Sequence, residues 1–294
     1  MTQARRFREV LHRDGMVTAP GAYDCITARL IEQAGFDAVY MTGAGTAATL
    51  GYPDFGLLTM SEMVDNARRI AASVALPVIA DADTGYGNEL NAFRTAREYE
   101  TAGVAGIHIE DQGFPKKCGH LDDKEIVPRE DWLAKIRAAA TARRDPDFVI
   151  IARTDARAVA GFDEAILRAN AALAAGADMA FVEAPQTREE VAAVPRLVNG
   201  PCLLNVVHGG KTPDLDLREA EAMGYKLAIV PGLLIKFVVG ICEAKLAELR
   251  ERHRHPAPPN AMTVGDVFRR MGADEWDARR TQFRDAATIR SAAE

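Results

Sequence analysis

A chain of 294 residues, 48% of them hydrophobic, can bury a large core as one barrel-sized domain without having to split. Its formal net charge of -6, with Lys and Arg scattered rather than blocked, excludes the basic stripe that nucleic acid or an anionic membrane requires. Cys25, Cys118, Cys202 and Cys242 stand far apart with no C-x-x-C pair, which argues against a disulfide framework and a zinc knuckle.

The opening MTQARRFREVLHRDG alternates charged and apolar residues at helical spacing and lacks an apolar signal core. No later run reaches the roughly 18 apolar residues of a membrane span, so a cytoplasmic setting is expected. Short β-branched runs then recur at 16–19, 38–42, 77–83, 106–111, 148–155, 179–184, 202–207 and 227–231, each followed by an Ala-rich amphipathic stretch. Most are continuously apolar, as strands buried on both faces are. These strand–helix units predict an α/β fold, a closed (β/α)8 TIM-type barrel.

Between the strands, Thr59 and Glu62 form a capping box, and Trp132, Ile136 and Ala139 repeat on one helical face. Gly35, Gly103, Gly176 and Gly224 sit just past helical runs, where a positive φ ends a helix cheaply. The expected organisation is a barrel over 1–250, a proline-rich linker over 251–261 and a C-terminal helical segment over 262–294. The last has too few apolar residues for a core of its own, so it is expected to dock on the barrel or on another subunit.

Active sites in such barrels lie at the C-terminal ends of the strands. Polar residues collect there: Asp81 and Asp83 after the third run, Glu110 and Asp111 after the fourth, Arg153 and Asp155 after the fifth, then Glu183, Asn205 and His208. Crowded carboxylates repel, and raised pKa values or a cation relieve the repulsion. Mg²⁺ suits Asp81, Asp83 and Glu110, with some acids acting through water. The alternative is that these acids pair with Arg153 and cap helices without a metal.

The loop Phe114-Pro-Lys-Lys-Cys-Gly-His120 joins a thiol to two lysines, a glycine and a histidine. Neighbouring cations are expected to depress the Cys118 pKa, making it a proton donor or acceptor near neutrality, and Gly119 lets backbone approach a substrate closely. The other three cysteines lie in apolar contexts and read as inert.

With Thr42-Gly-Ala-Gly45, Gly51-Tyr-Pro-Asp-Phe-Gly56, Asp81-Ala-Asp-Thr-Gly-Tyr-Gly87, Ile109-Glu-Asp111, Lys116-Lys-Cys-Gly-His120 and Ala152-Arg-Thr-Asp155 in order, residues 5–250 resemble the isocitrate lyase/phosphoenolpyruvate mutase superfamily. The cysteine loop is what its carbon–carbon lyases carry. The resemblance implies that Asp83 binds Mg²⁺ directly, with Mn²⁺ a substitute, and that Asp54, Asp81 and Glu110 hold its waters. It implies that Thr42, Gly43, Ala44 and Arg153 grip the keto-acid half, with Asp81, Lys117, Gly119, His120, Asn205 and Lys236 completing the substrate contacts. Tyr40, Cys118, His120, Arg153 and Glu183 are the implied catalytic set. The reaction this resemblance implies is a retro-aldol (retro-Claisen) cleavage, with Tyr40 or a carboxylate as base and Cys118 protonating the departing enediolate. A homotetramer, its C-terminal helices swapped between subunits, is also implied.

Phe181-Val-Glu-Ala-Pro185 and Gly209-Gly-Lys-Thr-Pro213 look most like the branch of 2,3-dimethylmalate lyases and the petal death protein, which ranks a substituted malate first as substrate. Lys236 stands where methylisocitrate lyases have an arginine; it can serve a second carboxylate as a point charge or simply reach solvent. The Gly-Gly-Lys stretch reads as a tight turn rather than a phosphate cradle. Oxaloacetate hydrolysis or phosphonopyruvate processing is the second class of reading. A barrel that binds a keto-acid without turnover is the third, and the catalytic residue types argue against it.

Overall fold

The computed structural model describes residues 1–121 and 123–291, with the backbone alone over 285–291. Parallel strands β1 (Val17–Ala22), β2 (Val39–Met41), β3 (Val78–Asp81), β4 (Gly106–Glu110), β5 (Val149–Thr154), β6 (Met179–Val182), β7 (Cys202–Asn205) and β8 (Leu227–Val230) pair in chain order and close into a barrel. The ring shuts between β1 and β8, with Val17 opposite Leu227 and Ala19 opposite Ile229. Every expected strand is present. All but the first end one or two residues earlier than expected, and past β3 and β6 the reason is in the backbone: Asp83 and Ala184 take φ of 46° and 52°, which a strand cannot continue through.

Alternation along the strands sorts their side chains. Ile107 and Ile109 of β4 pack with Ala92, Ala96, Trp132 and Ile136 of the surrounding helices. The intervening His108 faces the lumen, stacked on Tyr40 at 5.7 Å and edge-on to Phe181 at 5.6 Å. Where the strands begin, Val17, Ile79, Val149, Ile151 and Leu227 fill the lumen, and Phe7 and Val10 of the helix Gln3–His12 join them to close that end. The capping box is made: Glu62 Oε2 accepts from Thr59 N at 2.7 Å, and Thr59 Oγ1 from Glu62 N at 3.4 Å. Gly35, Gly103, Gly176 and Gly224 all have positive φ.

The chain forms two compact units, Met1–Phe237 and Val238–Glu294, dividing inside the helix Leu233–Arg252. The second unit holds the rest of that helix, a single 3₁₀ turn at Pro259–Ala261 and the helices Val264–Arg270 and Ala273–Ser291. Among its described residues no side chain is buried, and Phe268 and Trp276 stand exposed. No described helix is long and apolar enough to cross a membrane.

Candidate active site

At the C-terminal ends of the strands a cavity of about 220 Å³ is lined by Tyr40, Thr42, Ala44, Asp54, Asp81, Cys118, Gly119, His120, Arg153, Glu183, Asn205 and Lys236. Most of the residues expected at the site are thus brought to one space. Asp83 and Glu110 lie buried beside it rather than on its wall. Gly43 also stands back, its N–H given to Asp81 Oδ2 at 3.2 Å. Lys117 is not part of the cavity wall: its Nζ donates to the carbonyl of Asp123 at 3.3 Å.

The lysine that enters the site is the other one. Lys116 Nζ sits 2.5 Å from Asp54 Oδ1 and 2.7 Å from Asp83 Oδ1, with its side chain almost wholly buried. Glu110 and Asp81 also act on this ammonium, and the pKa values of Asp81, Asp83 and Glu110 separate. Burial pushes Asp83 up to about 6, Lys116 pulls against it, and Asp81 and Asp54 add to the rise. Burial also acts to raise Asp81, but His108, Lys116 and Arg153 outweigh it and bring that carboxyl down to about 2. Burial holds Glu110 well above the usual carboxylate range although Arg153 Nη1 lies 3.2 Å from its Oε2.

Arg153 anchors the far wall. Its Nε donates to Asp155 Oδ2 at 3.0 Å, and its guanidinium lies 5.2 Å over the Phe181 ring, which fixes its plane. Asp155 also takes Lys124 Nζ at 2.7 Å, and the same ammonium donates to the carbonyl of Gly119. This clamp seats the Cys118 loop on the cavity. A Cβ at position 119 would collide with Arg153 Nη2 and the Glu183 side chain, so only glycine allows the approach.

Glu183 accepts from Asn205 Nδ2 at 3.2 Å on each oxygen and lies 3.1 Å from His120 Nε2. Burial opposes ionisation, yet Arg153 and His120 prevail and lower it to about 2. Tyr40 OH lies 2.8 Å from His108 Nε2 and 3.4 Å from Asp81 Oδ2. Burial lifts this phenol well above its ordinary value, which weighs against the base role expected of it. Burial likewise lowers His108 to about 4, so it is neutral.

Cys118 departs from expectation. Burial raises its pKa, and the lysines expected to lower it point to Asp54, Asp83 and Asp123 instead. The half-buried thiol is protonated at neutrality. Lys236 is on the cavity wall, with its Nζ donating to the carbonyl of His208 at 2.5 Å.

The acids fit a hard divalent ion. Both Glu110 oxygens are buried without a hydrogen bond, Asp83 Oδ1 is met by the Lys116 ammonium at 2.7 Å, and the neighbouring acids offer only oxygen donors. Among the described residues no three acid, histidine or cysteine side chains already stand as a closed cage, so an ion here would keep water in its shell.

The sequence reading passed over His108, Lys116 and Lys124. His108 carried a signal: it is two residues before Glu110 on one strand and therefore shares its inward face. Asp111, held by Thr154 Oγ1 at 2.6 Å and Arg168 Nη1 at 3.1 Å, braces the site from outside.

A family model described as phosphoenolpyruvate phosphomutase matches residues 7–250. The chain belongs to the phosphoenolpyruvate mutase/isocitrate lyase superfamily. Within the superfamily it is 53% identical to the 2,3-dimethylmalate lyase of Eubacterium barkeri, over 79% of this chain and 80% of that one. It is 46% identical to a probable 2-methylisocitrate lyase of Corynebacterium glutamicum, over 83% and 81% of the two chains. A structure of oxaloacetate acetylhydrolase with 3,3-difluorooxalacetate superposes with a TM-score of 0.92 at 37% identity, covering 97% of each chain. A phosphonopyruvate hydrolase complexed with oxalate and Mg²⁺ superposes at 0.87 and 32% identity, covering 96% of this chain and 99% of that one. Superfamily members thus include carbon–carbon lyases named for small carboxylates and an enzyme solved with a divalent metal.

Proposed function

We propose that this chain is a carbon–carbon lyase cleaving a 2-hydroxy dicarboxylate of the substituted-malate class, such as 2,3-dimethylmalate, to a 2-keto-acid and a carboxylic acid. The observation that carries it is Cys118: a thiol kept protonated by burial, on the wall of a cavity that also holds Arg153, Tyr40 and the acid cluster. Cleavage of the C2–C3 bond leaves its electron pair on the departing acid as an enediolate, whose carbon must take a proton; the protonated Cys118 thiol is the acid assigned to give it in this reading.

Asp83, Asp81, Asp54 and Glu110 would hold Mg²⁺ or Mn²⁺, which when bound supplies the Lewis acidity that eases loss of the C2 hydroxyl proton. Arg153 offers the keto-acid carboxylate a guanidinium whose plane is already fixed, and Thr42, Gly43 and Ala44 frame the same half of the substrate. Tyr40, protonated, donates to the oxygen at C2, so a carboxylate of the cluster is the base. Gly119 brings loop backbone against Arg153 and excludes water from the enediolate. His120, Glu183 and Asn205 hold one another beside Arg153, whose Nε lies 3.7 Å from Glu183 Oε2. Lys117 steadies the loop through Asp123.

A second reading, 2-methylisocitrate cleavage to pyruvate and succinate, is favoured by Lys236 on the cavity wall, a charge for one further carboxylate. A coupled keto-acid assay with Mg²⁺ over 2,3-dimethylmalate, 2-methylisocitrate, isocitrate, citramalate, oxaloacetate and phosphonopyruvate tests both. Keto-acid release from a substituted malate, abolished in Cys118→Ser and Asp83→Ala, is expected. Turnover of oxaloacetate or phosphonopyruvate alone, or full rate in Cys118→Ser, would refute the lyase assignment. The proposed assembly is a homotetramer, and light scattering of the full chain measures it.

A further inference from the structure

The glycine pair after β7 has no part in the chemistry above, yet the turn over 209–211 meets the site at one atom. Lys211 N–H donates to His120 Nδ1 at 3.0 Å. A backbone amide can only donate, so Nδ1 must present its lone pair and the ring proton stands on Nε2. That nitrogen lies 3.1 Å from Glu183 Oε1, an acceptor. With Nε2 protonated, the 3.4 Å approach of Asn205 Nδ2 to it is donor against donor, which leaves the Asn205 amide to the two Glu183 oxygens at 3.2 Å each. The Lys211 amide and the Glu183 carboxylate agree on one ring state, and the longer Asn205 approach is the contact that this state leaves unmade.

The approach depends on residue 210 having no side chain. A Cβ there would stand 2.6 Å from His120 Nδ1, 2.9 Å from its Cε1 and 3.0 Å from the carbonyl of Val207. Backbone and ring would have to separate. Beyond the amide, Lys211 Nζ reaches the carbonyl of Leu121 at 3.4 Å, so the turn holds the Cys118 loop at two successive residues.

We infer that the turn over 209–211 is a positioning element of the active site: its Lys211 amide, admitted by Gly210, fixes His120 as the Nε2–H tautomer and aims that N–H at Glu183. His120 then presents a donor to the cavity side and has no lone pair there with which to take a proton. The ring also registers the loop carrying the thiol, two residues away, against the end of β7. The amide at 211 is engaged, so the Gly-Gly-Lys stretch works on the protein's own imidazole rather than on a phosphate.

The tautomer can be read without turnover, by two-bond ¹⁵N–¹H correlation of the full chain labelled at its histidines, with the His120 signals assigned through His120→Gln. A proton on Nε2 and an accepting, unprotonated Nδ1 are expected in the wild type. Lys211→Ala keeps the amide and is expected to keep that pattern. Gly210→Ala is expected to mix the tautomers and, resting on the lyase reading for this arm only, to lower kcat about tenfold with a smaller change in KM. A proton on Nδ1 in the wild type, or a pure Nε2–H pattern surviving in Gly210→Ala, overturns the inference. Should Gly210→Ala not fold, the wild-type spectrum decides alone. Nε2–H in a protein that releases no keto-acid from any substrate removes the lyase reading and leaves this inference standing.

Discussion

Where the strands begin, the lumen holds Val17, Ile79, Val149, Ile151 and Leu227 under the Phe7 plug; further along, it holds Tyr40, His108, Glu110, Arg153 and Glu183. The same eight parallel strands run through both ends. The difference lies in satisfaction. At the strand-end side Glu110 Oε1 and Oε2, Asn205 Oδ1 and His108 Nδ1 are buried without a hydrogen bond, whereas the closing helix at the other end leaves Gln3 Oε1 so placed. Such groups destabilise a fold unless something else meets them. The apolar end supplies the burial that lets the other end keep groups in reserve for a ligand.

The contrast breaks first, and most sharply, at the thiol. Cys118→Ser should lower turnover by about a thousandfold or more while moving the unfolding free energy by less than about 0.5 kcal/mol. Steady-state kinetics and urea unfolding on one sample measure both. Phe7→Ala should do the reverse, costing about 3–5 kcal/mol of stability while the folded fraction keeps its rate within about twofold. A matching rate loss there would mean that the plug shapes the site.

A third test uses pH. His108 has its pKa lowered by burial from 6.5 to about 4. Between those values the unfolded chain binds a proton that the folded chain does not, so this group makes stability fall as pH falls, by up to about 3 kcal/mol across the window. Asp83 and Asp111, raised to about 6, act with the opposite sign as pH falls from about 6 towards 3.8. The difference between the wild type and His108→Gln isolates the imidazole: the variant should lose less stability between pH 7 and pH 4.5. Equal losses would exclude a neutral buried His108. Smallest of all, Thr59→Ala removes a helix cap outside the cavity wall and should cost about 1 kcal/mol in thermal unfolding, with the rate kept within about twofold.

The barrel was legible because its strands are continuous apolar runs and its helices end on glycines, both local patterns. The carboxylates were legible because the fold class says where polar strand ends converge. The loop of 114–124 was not, because it is irregular and no period says which side chain turns inward. Its two adjacent lysines look alike in sequence, yet Lys116 is buried among acids while Lys117 turns to Asp123. The same irregularity misled the reading of Cys118. Cations adjacent in sequence are not adjacent in space here, and burial, which no motif displays, sets the sign of the shift. His108 was within reach of the period-two rule and was lost among apolar neighbours.

Closure between β1 and β8 has a consequence for biosynthesis. Val17 pairs with Leu227, so the first strand made has one edge that finds its partner only after most of the chain has left the ribosome. Until then the Phe7 plug has no complete ring to fill, and β1 presents an open parallel edge to any other strand nearby. The seam, though no weaker in the finished barrel, is the step at which a nascent chain is most exposed to mispairing.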